Sequence, residues 1–296
     1  WHDAGDNLKF TLTIAWSAYV LLKGYDAFPS AYSDLYNRSY GAPNNIPDLL
    51  DEVKWATDYL MKIHLDSSTL VSQIGNYLDH NQGVTCPTMT GQGTNKGGDP
   101  RTVWFGSSNS DAAQVKADVL GITSAALALM GRLYAPFDAA YAADALRHAR
   151  QLYATAKSRT GTTKEPANQS YYKDDSYLDD LACAAAELYR ATGETALLTE
   201  AVSYSNQVGD HGWVVDWATH IDYCRHSIAM SGNTGKDAVK SNWKKAIDRY
   251  RSKVSSNQHV NGLAFFSDWG SLRYAANAAF SAALYHAVYT DPAASQ

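Results

Sequence analysis

The sequence predicts an all-α domain in which helical hairpins close into a toroid. Three observations carry that prediction. Apolar residues recur at helical spacing through most of the 296 positions, and strand-like alternation never lasts more than a few residues. Alanine-rich faces, at 182–186 and 275–283, suit closely packed antiparallel helices, because small side chains let two helix backbones approach. Short connectors alternate with long ones rich in aromatic and acidic residues, so the long ones gather at one mouth. A TPR or HEAT array would repeat one consensus at a fixed period, and no such repeat occurs. The reading is of one domain over residues 1–296.

Phe10 opens the first helical pattern, which continues through Leu12, Ile14, Ala15, Ala18, Leu21 and Leu22. The next starts at Ile46-Pro47-Asp48 and runs to Ile63. Proline and acids belong in a first turn, where a fixed φ and the helix dipole favour them. From Leu70 to Ser110 glycines and prolines interrupt every period. A loop of that length is usually functional or disordered, and Gln73, Asp79, His80, Arg101 and Trp104 favour function. Further helices are expected over 110–134, 139–156, 177–191, 196–208, 213–230, 237–254 and 272–289, with Gly193 and Gly232-Asn233 as C-caps.

Composition narrows the function. At 45% hydrophobic the chain can bury a large core. A net charge of -5, with scattered Lys and Arg, gives no footprint for nucleic acid. No apolar run reaches the roughly 18 residues that a membrane-spanning helix needs. The 20 Tyr and 8 Trp suit stacking on flat ligand faces as well as ordinary packing. Cys86, Cys183 and Cys224 form no C-x-x-C, which argues against zinc. Cys183, in an alanine-rich helix, reads as plain core, with a disulfide to Cys224 as the alternative. The start at Trp1, without Met, implies a mature or cut end.

Two stretches concentrate carboxylates. Asp3 and Asp6 flank Ala4-Gly5 in a loop feeding a helix, where glycine lets the backbone turn both acids toward one point. Such a pair can hold and deprotonate a water, or one of them can simply cap the helix. Asp174-Asp175-Ser176-Tyr177-Leu178-Asp179-Asp180 either binds a hard cation or supplies acids favoured by the helix dipole. His220 and His226 read as polar packing, since they lack the one-turn spacing of a helical metal pair. Trp1, Trp104, Trp213, Trp217, Trp269 and Tyr274 suggest a stacking groove. With the paired acids they suggest a polysaccharide cleft, in which one carboxylate activates water and another carboxyl protonates the leaving oxygen. Glu52, Glu165, Glu187, Glu194 and Glu200 all sit in helical or polar surface contexts, so none stands out as that acid.

At this point the sequence resembles glycoside hydrolase family 9, the inverting cellulases and endoglucanases. The likeness runs in order through W-x-D-A-G-D-x-x-K-F at 1–10, L-L-D-E-x-x-W-x-x-D-Y-L at 49–60 and Q-x-G-x-x-x-D-H at 73–80. It continues with D-[DE]-L-A-x-x-A-x-x-L-Y-R-A-T-G at 179–193 and W-G-S-L-R-Y-A-A-N-A-A-F at 269–280. The resemblance implies an (α/α)6 toroid, incomplete in this chain, and single-displacement hydrolysis of β-1,4-glucosidic bonds. It implies Asp6 as general base, Asp3 as its partner in holding the water, and His80, Trp217, Trp269 and Tyr274 along the glucose subsites. It further implies a structural Ca²⁺ on Asp179, Asp180 and Asp222, with carbonyls near Asp175 and Ser176.

The departures are as informative. Family members continue to an Asn-Glu motif whose glutamate is the general acid, whereas this chain ends at Gln296. The expectation is a partial catalytic domain, lacking also the first barrel helix, from a secreted monomeric endo-β-1,4-glucanase. Its partner is a β-1,4-glucan, with no role for nucleic acid or membrane. The alternatives are a catalytically silent carbohydrate-binding toroid and a helical scaffold for protein partners.

Overall fold

The computed structural model describes residues 1–3, 7–36, 41–81, 101–255 and 262–289. Helices dominate, as the spacing predicts, and the described residues fall into two compact units, within 1–177 and 178–296.

The first unit holds α1 (Thr11–Ala27), α2 (Asp48–Lys62), α3 (Tyr77–Asn81), α4 (Ala117–Tyr134) and α5 (Ala139–Ser158). α1 packs on α2 and α4, and α4 on α5. α4 is buried along almost its whole length, as an apolar helix with neighbours on several sides must be. Gly131 explains how closely α5 approaches. A Cβ there would stand 2.7 Å from Leu146 Cγ and 3.0 Å from the Ala142 carbonyl. α4 begins at Ala117 rather than near 110, because Asp111 caps a short 3-10 turn, Ala112–Gln114, and diverts the chain. α5 opens on a side-chain cap, with Asp138 accepting from the Tyr141 N–H at 2.9 Å.

Among the described residues, five very short strands escape the sequence pattern. β1 (Lys9–Phe10), β4 (Gln73–Ile74) and β5 (Val103–Trp104) form one antiparallel sheet in the order β1-β4-β5. β2 (His64–Asp66) and β3 (Thr69–Leu70) form a hairpin. In the first sheet Phe10 pairs with Gln73 and Gln73 with Trp104. Thr11 extends the seam, its N–H donating to the Ser72 carbonyl at 2.9 Å and its hydroxyl to the Val71 carbonyl at 2.6 Å. An otherwise uncapped helix start is thereby satisfied.

The second unit holds α6 (Leu178–Thr192), α7 (Thr195–Val208), α8 (Ile221–Ala229), α9 (Asn233–Ser255) and α10 (Ser271–Tyr289). α6 packs on α7 and α8, and α8 on α9 and α10. The 182–186 run of α6 is fully buried, as the small-residue face requires. α8 starts later than the apolar spacing suggests. The Asp216 N–H donates to the Thr219 carbonyl at 2.8 Å, and this turn occupies the residues before His220. Cys183 and Cys224 form a disulfide between α6 and α8, with Cα atoms 4.5 Å apart. Cys183 is thus buried as expected but is not a free core thiol. Among the described residues no helix is long and apolar enough to cross a membrane.

Candidate active site

In the first unit Asp3 is fixed on both carboxylate oxygens. The Thr13 hydroxyl donates to Oδ1 at 3.1 Å, and the Tyr172 phenol to Oδ2 at 2.6 Å. The Asp3 N–H donates to the Leu8 carbonyl at 2.9 Å, which closes the loop ahead of β1. Thr13 lies in the first turn of α1, so the helix start itself presents a donor to the acid. Asp6 lies outside the described residues.

The β1-β4-β5 sheet brings the 73–80 motif beside that loop. Gln73 is buried and donates to the Gly75 carbonyl at 3.1 Å and to Gln169 Oε1 at 2.7 Å. Gly75 has φ +93°, and a Cβ there would meet Asp79 Oδ2 at 2.7 Å. Asp79 is buried and reaches back to accept from the Asn76 N–H at 2.9 Å, capping α3. Arg101 clamps the assembly. Its Nε lies 3.4 Å from Asp79 Oδ1, and its Nη2 donates to the Asn7 carbonyl. Gln73 and Asp79 therefore shape the site rather than line it. His80 is exposed on α3, its ring 4.5 Å from that of Tyr171. Phe10 meets Tyr171 and Tyr172 edge-on, at 5.9 and 5.1 Å.

The residues that sequence reasoning missed here are Thr13, Tyr171 and Tyr172. The paired tyrosines just before the acidic run were the available signal, but no local pattern ties them to a loop at the other end of this unit.

In the second unit the implied subsite aromatics divide. Trp269 is 79% exposed, whereas Tyr274 is only 7% exposed. The Arg273 guanidinium stacks 4.6 Å over the half-buried Trp217 ring and 4.4 Å over Tyr274. Tyr274 also meets Trp213 edge-on at 5.6 Å. Trp213 Nε1 donates to Asp216 Oδ2 at 3.2 Å. Burial pushes the Asp216 carboxyl above its ordinary value, against the N–H of Ala218 and the charge of Arg273.

The implied cation ligands also divide. Asp175 and Ser176 belong to the first unit. Asp175 is exposed and pairs with Lys173 at 2.8 Å, while the Ser176 N–H donates to Asp174 Oδ1 at 2.9 Å. In the second unit Asp179 and Asp180 are buried on either side of His220. The His220 N–H donates to Asp179 Oδ2 at 3.0 Å, and its Nε2 lies 3.1 Å from Asp180 Oδ1. Asp179 Oδ1 is buried without a hydrogen-bond partner, so these two acids fit a cation. Asp222 does not fit. Its Oδ2 accepts from Tyr250 at 2.7 Å and Ser281 at 2.8 Å, and its Oδ1 faces the buried Arg225 at 3.2 Å. A second cation beside that guanidinium would be repelled. Among the described residues no three His, Cys, Asp or Glu side chains are arranged to hold a metal. His220 and His226 are core polar residues, as their spacing suggests.

Glu187 lies in a helix, α6, where it is fully buried and accepts from the Ser227 hydroxyl. Glu165 accepts from the backbone of its own loop.

The sequence profile of glycosyl hydrolase family 9 matches residues 1–296. Endoglucanase A of Bacillus pumilus is 30% identical over 96% of this chain and 42% of its own length. Endoglucanase 15 of Arabidopsis thaliana is 29% identical over 96% of this chain and 56% of its own. The chain therefore spans about half the length, or less, of these curated relatives. Among solved structures, the endoglucanase of the termite Nasutitermes takasagoensis superposes with a TM-score of 0.79 at 29% identity, over 100% of this chain and 63% of that one. The cellulase Cel9M of C. cellulolyticum gives 0.74 at 28%, over 98% and 63%. Both neighbours are helical toroids, which agrees with the fold class read from the sequence.

Proposed function

The chain belongs to glycosyl hydrolase family 9, and from that premise we propose that the complete protein cleaves β-1,4-glucosidic bonds by single displacement with inversion. The observation that carries the proposal is the anchoring of Asp3 by Thr13 and Tyr172. Two hydroxyl donors favour a carboxylate over the neutral acid and fix its direction, which suits a group that must orient a water. Asp6, in the same W-x-D-A-G-D motif, takes the proton of that water as it attacks the anomeric carbon. The departing oxygen needs a proton from a second carboxyl. The family 9 resemblance implies that this carboxyl is the glutamate of an Asn-Glu motif, a dipeptide that does not occur within residues 1–296.

We assign contacts with glucose rings to His80 in the first unit and, in the second, to Trp217, Trp269 and Tyr274; the exposure of His80 and of Trp269 supports that reading. We further propose secretion, because a structural disulfide is favoured in oxidising compartments. A monomer and a structural Ca²⁺ on Asp179 and Asp180 complete the reading; such an ion would stiffen the start of α6 and take no part in bond cleavage.

The test is the release of reducing ends from carboxymethylcellulose by the full-length protein, with and without Asp6→Asn. Loss of general-base assistance lowers the rate by roughly 10²–10⁴. Equal rates in the two proteins would defeat the assignment of Asp6.

A further inference from the structure

We infer that Glu165 is a positioning residue that aims the Asp3 carboxylate through Tyr172 and, by the same bonds, sets Tyr171 against His80. The inference rests on the reading above, in which Asp3 orients the attacking water.

The segment entering Glu165 is anchored. The Thr163 N–H and hydroxyl donate to the two oxygens of the buried Asp118, at 2.7 and 2.6 Å, at the start of α4. The chain then makes a tight excursion. Pro166 is buried, Asn168 takes φ +64°, and the Gln169 N–H donates to the Pro166 carbonyl at 3.2 Å. It returns at Tyr171 and Tyr172, and there Glu165 closes the neck of the loop. The Tyr171 N–H donates to its Oε1 at 3.0 Å and Oε2 at 2.8 Å, and the Tyr172 N–H to Oε1. Beyond that neck the Tyr172 phenol reaches Asp3 Oδ2 at 2.6 Å, and the Tyr171 ring lies 4.5 Å from His80.

The physical consequence is leverage. A phenol hydroxyl stands at the far end of a rigid ring, so a small rotation of the backbone at Tyr172 moves the donor well off a 2.6 Å bond. Two adjacent backbone amides held by one carboxylate suppress that rotation, and bonds to an ionised acceptor are about twice as strong as neutral ones. Glu165 is thus an acceptor for the backbone of its own loop, and its role is to hold geometry.

The test follows the Asp3 carboxyl by ¹³C NMR titration of the complete protein, the resonance being assigned by its loss in Asp3→Asn. Removing the phenol donor in Tyr172→Phe is expected to raise the Asp3 midpoint by about one pH unit, the worth of one hydrogen bond to a charged group. Glu165→Ala is expected to raise it in the same direction by at least half as much. In the Tyr172→Phe background Glu165→Ala should add nothing, because both act along one path. Should Glu165→Ala not fold, the isosteric Glu165→Gln, which keeps one acceptor oxygen, is judged by the same criteria. A midpoint unchanged by either Glu165 variant, or shifts that add to that of Tyr172→Phe, would overturn the inference. If the shifts appear and the unsubstituted complete protein releases no reducing ends, the hydrolase reading falls and the Glu165–Tyr172–Asp3 relay stands.

Discussion

Asp222 and Arg225 stand one turn apart on α8, with Oδ1 and Nη1 at 3.2 Å and neither side chain reaching solvent. Burial alone would raise the Asp222 carboxyl. The nearby His211, the Arg225 charge and the Tyr250 hydroxyl outweigh it and bring the group down to about 2. Asp222 is therefore a charged hub inside the second unit. Removing one member of a buried pair strands the other charge, at a cost of about 3–5 kcal/mol, whereas replacing both by apolar side chains costs far less. Urea unfolding should show that loss in Asp222→Ala and a smaller one in Asp222→Leu/Arg225→Met. Equal losses would mean that the pair is not what holds this part of the fold.

A second buried pair makes the first unit sensitive to acid. His64 Nδ1 and His148 Nδ1 are 2.6 Å apart, joining the β2–β3 hairpin to α5. Arg147 can only donate, so its Nη2, 2.8 Å from His148 Nε2, makes that nitrogen an acceptor. His148 then carries its proton on Nδ1 and gives it to His64, and both rings are neutral. Burial first, then repulsion from a protonated neighbour at His148 and from Arg147, holds His64 down to about 4, against Asp66 and the Ser67 backbone. Burial and Arg147 also lower His148, against Asp144. Both are bases depressed on folding, so the unfolded chain binds more protons below its ordinary value of 6.5. Their contribution is fully present above that pH and is lost as pH falls toward 4. The melting temperature should drop over this window, and drop less in His64→Leu/His148→Leu. Parallel pH profiles for the two proteins would refute the pair as the cause.

What the sequence made legible, and what it did not, follows from the range of the interactions. Helical period is local, so α5, α7 and α10 fall within a few residues of where spacing puts them. The sheet β1-β4-β5 joins residues 9–10, 73–74 and 103–104, and strands of two residues carry no period to read. Asp3 was legible as half of a motif, but Thr13 and Tyr172 are its partners only because the fold brings them there. Asp222 enters the ligand set only through the family resemblance, and its partners Tyr250 and Ser281 are ones that the fold, not the local sequence, supplies.

The disulfide between Cys183 and Cys224 spans 41 residues and ties α6 to α8. Closing a loop of that length in the unfolded chain is worth roughly 4 kcal/mol in the chain-entropy treatment. Denatured protein should therefore gain two titratable thiols on reduction, those of Cys183 and Cys224. Cys183→Ala/Cys224→Ala should unfold at a clearly lower urea concentration. The same gain in Cys183→Ala/Cys224→Ala as in the unsubstituted protein would rule the bond out.

The cation proposal turns on which acids respond to chelation. Asp179 has a buried oxygen without a hydrogen-bond partner, and Asp180 lies fully buried beside it on the first turn of α6. Asp222, saturated by its own partners, should be irrelevant to binding although it matters for stability. An ion that binds only the folded form raises stability by RT ln(1 + [L]/Kd), about 2.7 kcal/mol at a hundredfold excess over Kd. EDTA should therefore lower the melting temperature of the complete protein, and added Ca²⁺ should restore it. Asp180→Asn should abolish the restoration, while Asp222→Asn should start lower and still respond. A melting temperature indifferent to both EDTA and Ca²⁺ would leave Asp179 and Asp180 as plain partners of His220, and loss of the response in Asp222→Asn alone would return that residue to the ligand set.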